Sequence, residues 1–367
     1  MRLDIHPDIT LAHTPPAQFY TDPAAFAALS ERVLAAGWHF VGDTSVCAAP
    51  GDLHPFTLLP GCLDEPLLLA RDQSGTLRCM SNVCTHRGTV LVQAPGKAGP
   101  SLRCRYHGRT FALDGALKHM PEFEGCKHFP AESDNLSRVP MAEWRGLRFV
   151  SIKPAQGFAQ LTAELERRVG WLPVESFKLD PARSRDYTVK AHWALYCDNY
   201  LEGFHVPFVH ASLNAALEYG EYTTELLPQG VLQVGIAKPG EPCFTPPPSH
   251  PDHGRRVAAW YFWLFPCTML NFYPWGLSVN VIEPIHRELT RVRYLSYVHD
   301  PAKLAQGAGA DLHHVELEDE AVVEAVQAGL KGRFYRRGRY SRARETGTHH
   351  FHRLLASLVN QPSDSTL

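Results

Sequence analysis

Four residues in two short stretches have the types and spacing to hold a metal cluster. CTHRG (Cys84–Gly88) places a thiol and an imidazole one residue apart, and CRYHG (Cys104–Gly108), twenty residues on, places them two apart. Such spacing in a tight loop aims both side chains at one small object, and the glycine lets the backbone bend around it. A tetrahedral zinc ion accepts two thiolates and two imidazoles, but zinc fingers group the cysteines together and the histidines together. The order Cys, His, Cys, His suits a [2Fe–2S] cluster in which one iron takes both sulfurs and the other both imidazoles.

A second constellation lies in Asp198–His210, DNYLEGFHVPFVH. At helical phase Asp198, Glu202 and His205 fall within about 60° of one another, whereas His210 lies about 140° from His205. Both imidazoles reach one ion only if the helix breaks between them, and Pro207 is placed to break it. Two histidines and one carboxylate on one face make the facial triad of non-haem Fe(II) oxygenases. Glu318, Asp319 and Glu320 offer that carboxylate. With Val322, Val323, Val326 and Leu330 as the apolar face, Asp319 is central to the stripe and the glutamates stand about 100° to either side. A carboxylate on a buried face needs a partner or a metal. The bland alternatives are an N-cap aspartate and histidines satisfied in a core.

The elements that must position these residues form two textures. From Trp38 to about Pro154, short apolar runs alternate with Gly, Pro and Asp, which predicts a small all-β domain over 38–153. A helical segment precedes it at 23–37, inside an N-terminal segment 1–37, and a helix at 158–169 opens a second domain, 154–367. Residues 187–217 read as helical, and runs at 231–236, 258–265, 277–282 and 291–299 as strands of one sheet. The Pro-rich loop 239–254 reads as a lid, and 319–330 and 349–358 as helices. The class is α+β. Trp260, Trp263, Phe272, Tyr273 and Trp275 crowd the strands, where they make either a cation–π cage or a plain aromatic core.

A chain of 367 residues with a net charge of −2 supports two cores and has no field for nucleic acid or an anionic membrane surface. Residues 1–10 lack the apolar core of a secretion signal, and 257–270, interrupted by Pro266, is a buried strand pair rather than a membrane span. Nine cysteines, an odd number, point to reduced thiols in a cytoplasmic protein. Cys47, Cys62, Cys79, Cys126, Cys197, Cys243 and Cys267 read as buried apolar thiols. Gly307 and Gly309 form no dinucleotide or phosphate loop, so electrons must come from a separate NAD(P)H-linked reductase.

The paired Cys–His loops resemble the Rieske family over residues 38–153. The resemblance implies that Cys84 and Cys104 ligate one iron and His86 and His107 the other. Arg105 and Arg109 depart from the family's usual Pro and Trp, at positions that do not ligate. With the downstream motif, nearly the whole chain resembles the catalytic subunit of Rieske non-haem iron oxygenases. This implies a helix-grip, START-like catalytic domain with an antiparallel sheet flanked by helices. It also implies mononuclear iron on His205, His210 and Asp319, O2 as oxidant, a reductase partner and a homotrimer. Glu202 matches the family's bridging carboxylate between subunits, usually Asp. Glutamate there, and the tail 338–353, resemble the branch that oxidises quaternary ammonium compounds such as carnitine, choline or betaine; His349, His350 and His352 have no assigned role. Oxidation of an aromatic ring, or a Rieske electron carrier without catalysis, are the rival expectations.

Overall fold

A computed structural model describes residues 2–361. The chain divides into two compact units, one spanning Trp38–Pro154 and the other combining the first 37 residues with those from Ala155 onward.

The first unit is all β among the described residues, apart from one short 3-10 turn. A five-stranded antiparallel sheet runs in the order 96–97, 52–58, 65–71, 77–81, 138–139, beside two three-stranded sheets. Its core gathers Leu53, Leu68, Met80, Leu102 and Phe111, and Cys84 and Cys104 are embedded in the same cluster. The two Cys–His loops therefore start from buried, fixed ends.

The second unit is built on an eight-stranded antiparallel sheet in the order 178–179, 289–298, 276–286, 268–273, 257–264, 230–236, 223–227, with 185–189 also pairing on 289–298. The four strand runs expected from the sequence all belong to it, and 257–264 and 268–273 form a buried pair. Residues 185–189 are a strand rather than the start of a helix, since Tyr187 and Val189 alternate inward against Val292 and Thr290.

Eight α-helices complete the described chain: α1 Ala17–Thr21, α2 Pro23–Leu29, α3 Phe158–Val169, α4 Trp193–Tyr200, α5 Val206–Val209, α6 Ala211–Ala216, α7 Leu312–Gly329 and α8 Thr346–Val359. The N-terminal segment is fastened to this unit, with Leu3 bonded in both directions to the Asn360 side chain and Tyr20 donating to Asp198.

Three expectations change here. Helix α4 stops at Tyr200, well before Pro207, and Pro207 sits in the first turn of α5. Packing is close at the break: a Cβ on Gly203 would stand 2.8 Å from the Tyr222 ring, and one on Gly347 would stand 2.3 Å from the Leu201 carbonyl. No residue of the loop 239–254 lines the cavity over the candidate site, and its end is anchored. His250 bonds the Arg168 carbonyl at 2.6 Å, and Asp252 takes Arg168 at 2.8 Å and the Trp260 indole at 2.9 Å, which pins the loop to the sheet. Of the cysteines expected to be buried, Cys126 is exposed and Cys62 and Cys243 are half-buried.

Candidate active site

The two Cys–His loops have the same backbone pattern. The Cys84 amide donates to Thr89 and its carbonyl accepts from Gly88; the Cys104 amide donates to Arg109 and its carbonyl accepts from Gly108. Both closing glycines have positive φ, +70° and +75°, which any side chain would strain. The sulfurs are buried and within hydrogen-bonding reach of each other. The His86 and His107 rings lie 4.8 Å apart, edge to face. Burial works against a Cys104 thiolate, but the amides of Tyr106 and His107 aimed at the sulfur hold its pKa below the ordinary value. Two sulfurs at the buried end and two imidazoles at the outer end are a donor set that fits a [2Fe–2S] cluster. Arg109 occupies the position of the family's usual aromatic residue. Its guanidinium is buried between the Phe111 and Phe129 rings and bonds Asp134 at 2.6 Å.

In the second unit the structure brings His205, His210 and Asp319 together, with one ligand atom of each within 4.8 Å of the others. His205 closes the turn after α4, His210 separates α5 from α6, and Asp319 projects from the middle of α7. The N-cap of α7 is Asp311, which accepts from the His314 amide, so Asp319 is not a cap. The buried stripe of α7 is Glu316, Val323, Gln327 and Leu330; Val326, expected on it, is exposed.

The hydrogen bonds test whether this set fits an ion. Glu202 holds His205 Nδ1 at 2.6 Å, and Glu318 holds His210 Nδ1 at 2.7 Å. With each Nδ1 proton donated to a carboxylate, the Nε2 lone pairs of both neutral rings face Asp319 Oδ1, at 3.5 and 3.0 Å. Lone pairs facing a carboxylate need a cation between them. Donors about 2.1 Å from one ion at right angles stand about 3 Å apart; His210 Nε2 and Asp319 Oδ1 have that spacing, and His205 Nε2 stands slightly farther out, at 3.5 Å. Without an ion, a proton is the substitute: burial would lower the His210 pKa, but Asp319 and Glu318 raise it above the ordinary value.

A cavity of about 760 Å³, mouth included, opens onto these donors. Six tyrosines line it: Tyr196, Tyr200, Tyr222, Tyr261, Tyr273 and Tyr294. A polar row crosses its sheet face, because Gln233 pairs with Tyr261, Tyr261 with Asn271 and Asn271 with Ser278. Of the five aromatic residues singled out from the sequence, only Tyr273 lines the cavity. Trp260 and Phe272 face the other side of the sheet, Trp263 packs against Phe351, and Trp275 stacks behind Tyr273. The missed residues did leave a signal: Gln233, Asn271, Ser278 and Asn280 are polar side chains inside otherwise apolar strands.

The tail histidines have local partners away from the donor set. His352 bonds Asp198 at 2.9 Å and Tyr340 at 2.7 Å, His349 the His6 carbonyl and His350 the Leu227 carbonyl.

A β unit with twin Cys–His loops, and a sheet-and-helix unit with a His, His, Asp set below a cavity, form the architecture of a Rieske non-haem iron oxygenase. The family models agree. Rieske [2Fe-2S] domain matches residues 38–130, and ring hydroxylating alpha subunit (catalytic domain) matches residues 170–361. The chain belongs to this family and is an oxidoreductase of monooxygenase type; the family's cofactors are the [2Fe–2S] cluster and a mononuclear iron. It is 32% identical to the carnitine monooxygenase oxygenase subunit of Escherichia coli (strain K12), over 95% of this chain and 94% of that one. It is 29% identical to the chloroplastic choline monooxygenase of Arabidopsis thaliana, over 94% and 82%. The solved structure of a quaternary ammonium Rieske monooxygenase superposes with a TM-score of 0.75 at 25% identity, covering 98% of this chain and 100% of the other. Naphthalene 1,2-dioxygenase from Rhodococcus sp. shares the fold, with a TM-score of 0.71 at 19% identity over 95% of both chains. No described helix is long and apolar enough to cross a membrane.

Proposed function

We propose that the protein is the oxygenase component of a cytoplasmic two-component system that oxidises a small quaternary ammonium compound. The observation that carries this reading is the tyrosine-lined cavity above His205, His210 and Asp319, with no lysine or arginine among its described lining residues. Aromatic faces attract an ammonium that has shed its water, and a wall without cations does not repel it. The oxygenase subunit and the monooxygenases named above support the same substrate class.

In this reading His205, His210 and Asp319 hold the mononuclear iron, and Cys84, Cys104, His86 and His107 hold the cluster. When bound, these groups supply oxygen activation and single electrons, delivered by a separate NAD(P)H-linked reductase. The chain's own task is orientation and exclusion of water. Glu202 fixes the His205 tautomer through Nδ1 while its other oxygen accepts the amides of Phe204 and His205. It is thereby held rigid as the carboxylate that links to a Rieske histidine of a second copy. Phe204 and Phe208 form an edge-to-face pair beside it, exposed by 41% and 80%. A second copy would cover that apolar surface, which supports a homotrimer.

The test is a reconstituted assay with a reductase, measuring substrate-dependent NADH and O2 consumption with choline, betaines, carnitine and aromatic acids. Turnover confined to the ammonium compounds is expected, and uptake with aromatic acids alone overturns the reading in favour of ring hydroxylation. Asp319→Ala is expected to lose the mononuclear iron and all turnover while the cluster's EPR signal persists. An electron carrier would keep its iron content.

A further inference from the structure

Glu316 stands apart from every other fully buried charged side chain. Arg109 has Asp134, Arg148 has Glu143 and Arg168 has Asp252. Glu316 is fully buried on α7 and makes no ion pair among the described residues. Its Oε2 accepts from the hydroxyls of Tyr196, at 2.5 Å, and Tyr294, while its Oε1 has no partner at all. Burying a carboxylate without a counter-charge is costly, and burial pushes the Glu316 carboxyl up to about 8, so a cation brought near it favours the ionised form.

Tyr196 and Tyr294, the two residues that donate to Glu316, both line the cavity. A phenol that donates to a carboxylate becomes more electron-rich, and its ring face attracts a cation more strongly. A cation that enters the cavity would supply the counter-charge that Glu316 lacks. The same lining says what the other end of that molecule looks like. Interleaved with the tyrosines, the polar groups on the sheet face are neutral, the amides of Gln233, Asn271 and Asn280 and the hydroxyl of Ser278. An anionic end would meet no lysine or arginine among the described lining residues, and would face Glu202 and Asp319. Even with a divalent ion bound, the carboxylates of Asp319, Glu202 and Glu318 leave that end of the cavity net negative.

We infer that the cavity selects a small organic monocation with a neutral polar end over a zwitterion, and that Glu316 sets this preference through Tyr196 and Tyr294. Glu316 is a positioning residue, since it touches the rings and not the ligand. The inference rests on the quaternary-ammonium reading and narrows it.

The test uses the iron-loaded, full-length protein under nitrogen, titrated calorimetrically with three probes. Choline is the monocation, 3,3-dimethyl-1-butanol its neutral isostere, and glycine betaine a zwitterion. Choline is expected to bind at least about tenfold tighter than either of the others. In Glu316→Gln the advantage of choline over the isostere falls to within about threefold, while the isostere's own Kd and the iron content stay unchanged. A merely structural role for Glu316 would weaken both probes alike. Betaine binding as tightly as choline, or a Glu316→Gln protein that keeps the full preference, overturns the inference and leaves the ammonium reading standing. Binding of the neutral isostere alone brings down both. Should Glu316→Gln fail to fold, Tyr294→Phe keeps the ring and removes its bond to Glu316, and the choline preference is expected to drop several-fold. An unchanged preference in that variant also overturns the inference.

Discussion

Glu318→Ala is expected to lower Fe(II) affinity at the mononuclear site without touching any ligand atom. His210 is 1% exposed, and its Nδ1 lies 2.7 Å from Glu318 Oε2, so the imidazole proton has one outlet on that side. Removing the carboxylate leaves a buried N–H unpaired. The neutral ring relieves this by moving its proton to Nε2, where Asp319 Oδ1 waits 3.0 Å away. That tautomer blocks the lone pair the metal needs, so binding must first reverse it. Loss of an acceptor of this kind costs about 10- to 100-fold in affinity, or about 1.4–2.7 kcal/mol. Glu318→Gln retains an acceptor oxygen at the same length and should lose only a few-fold. The assay is anaerobic Fe(II) titration against a competing chelator, with the cluster's visible spectrum as an internal check on folding. Unchanged affinity in Glu318→Ala, alongside lost binding in His210→Ala, would refute the reasoning, because His210 would then ligate with no need of its orienting partner.

Two further predictions test the surroundings of the site. A Cβ on Gly309 would stand 2.4 Å from Trp275 Nε1 and 2.8 Å from the Tyr273 ring, so Gly309→Ala must displace the stacked Tyr273–Trp275 pair. We expect weaker substrate binding with unaltered iron affinity and a stability loss of about 1–3 kcal/mol, and equal substrate Kd values would show that this wall does not matter. His192 is fully buried among Phe19, Tyr20, Phe26 and Trp193, and burial holds its pKa down to about 3 from 6.5. The folded state therefore refuses a proton that the unfolded state takes. Its stabilising contribution is complete above pH 6.5 and is lost towards pH 3, at up to about 1.4 kcal/mol per pH unit. His192→Asn keeps an acceptor for the Ala194 amide and cannot titrate, so wild-type and variant denaturation curves should converge as the pH falls; parallel curves across that window refute it.

Local motifs were legible from the sequence because spacing alone defines them. The Cys–His loops, and the histidines at 205 and 210, are carried by a few adjacent residues whose geometry needs no distant partner. The apolar stripe that singles out Asp319 holds at Val323 and Leu330 and fails at Val326. Hydrophobic residues mark a buried helix face only where the buried residues are apolar, and α7 buries Glu316 and Gln327 while Val322 is half-buried and Val326 exposed. The end of α4 has one local marker, Gly203, while the neighbours that crowd this turn, Tyr222 and Gly347, lie later in the chain. The cavity was the least legible part. Its tyrosines come from a helix, an irregular segment and three strands, and only strand register shows that Tyr261 faces inward while Trp260 faces out.

Helix phase explains how three acids within four residues of α7, Glu316, Glu318 and Asp319, come to do different work. Each residue turns the side chain about 100°, so Glu318 and Asp319 point apart and Glu316 lies about 160° from Glu318, whereas Glu316 and Glu320 fall within about 40° of each other. Glu316 is turned to the hydroxyls of Tyr196 and Tyr294, and Glu318 and Asp319 reach opposite nitrogens of the same His210 ring. Consecutive residues thus divide the two tasks that a histidine ligand requires, one fixing the tautomer and the next facing the lone pair. The division depends on register and not on acidity. A one-residue insertion before Glu316 would leave every carboxylate in the chain yet rotate all of them about 100° away from their partners. Charge count in this segment therefore says little about function, whereas its phase against α4 and His210 says nearly everything.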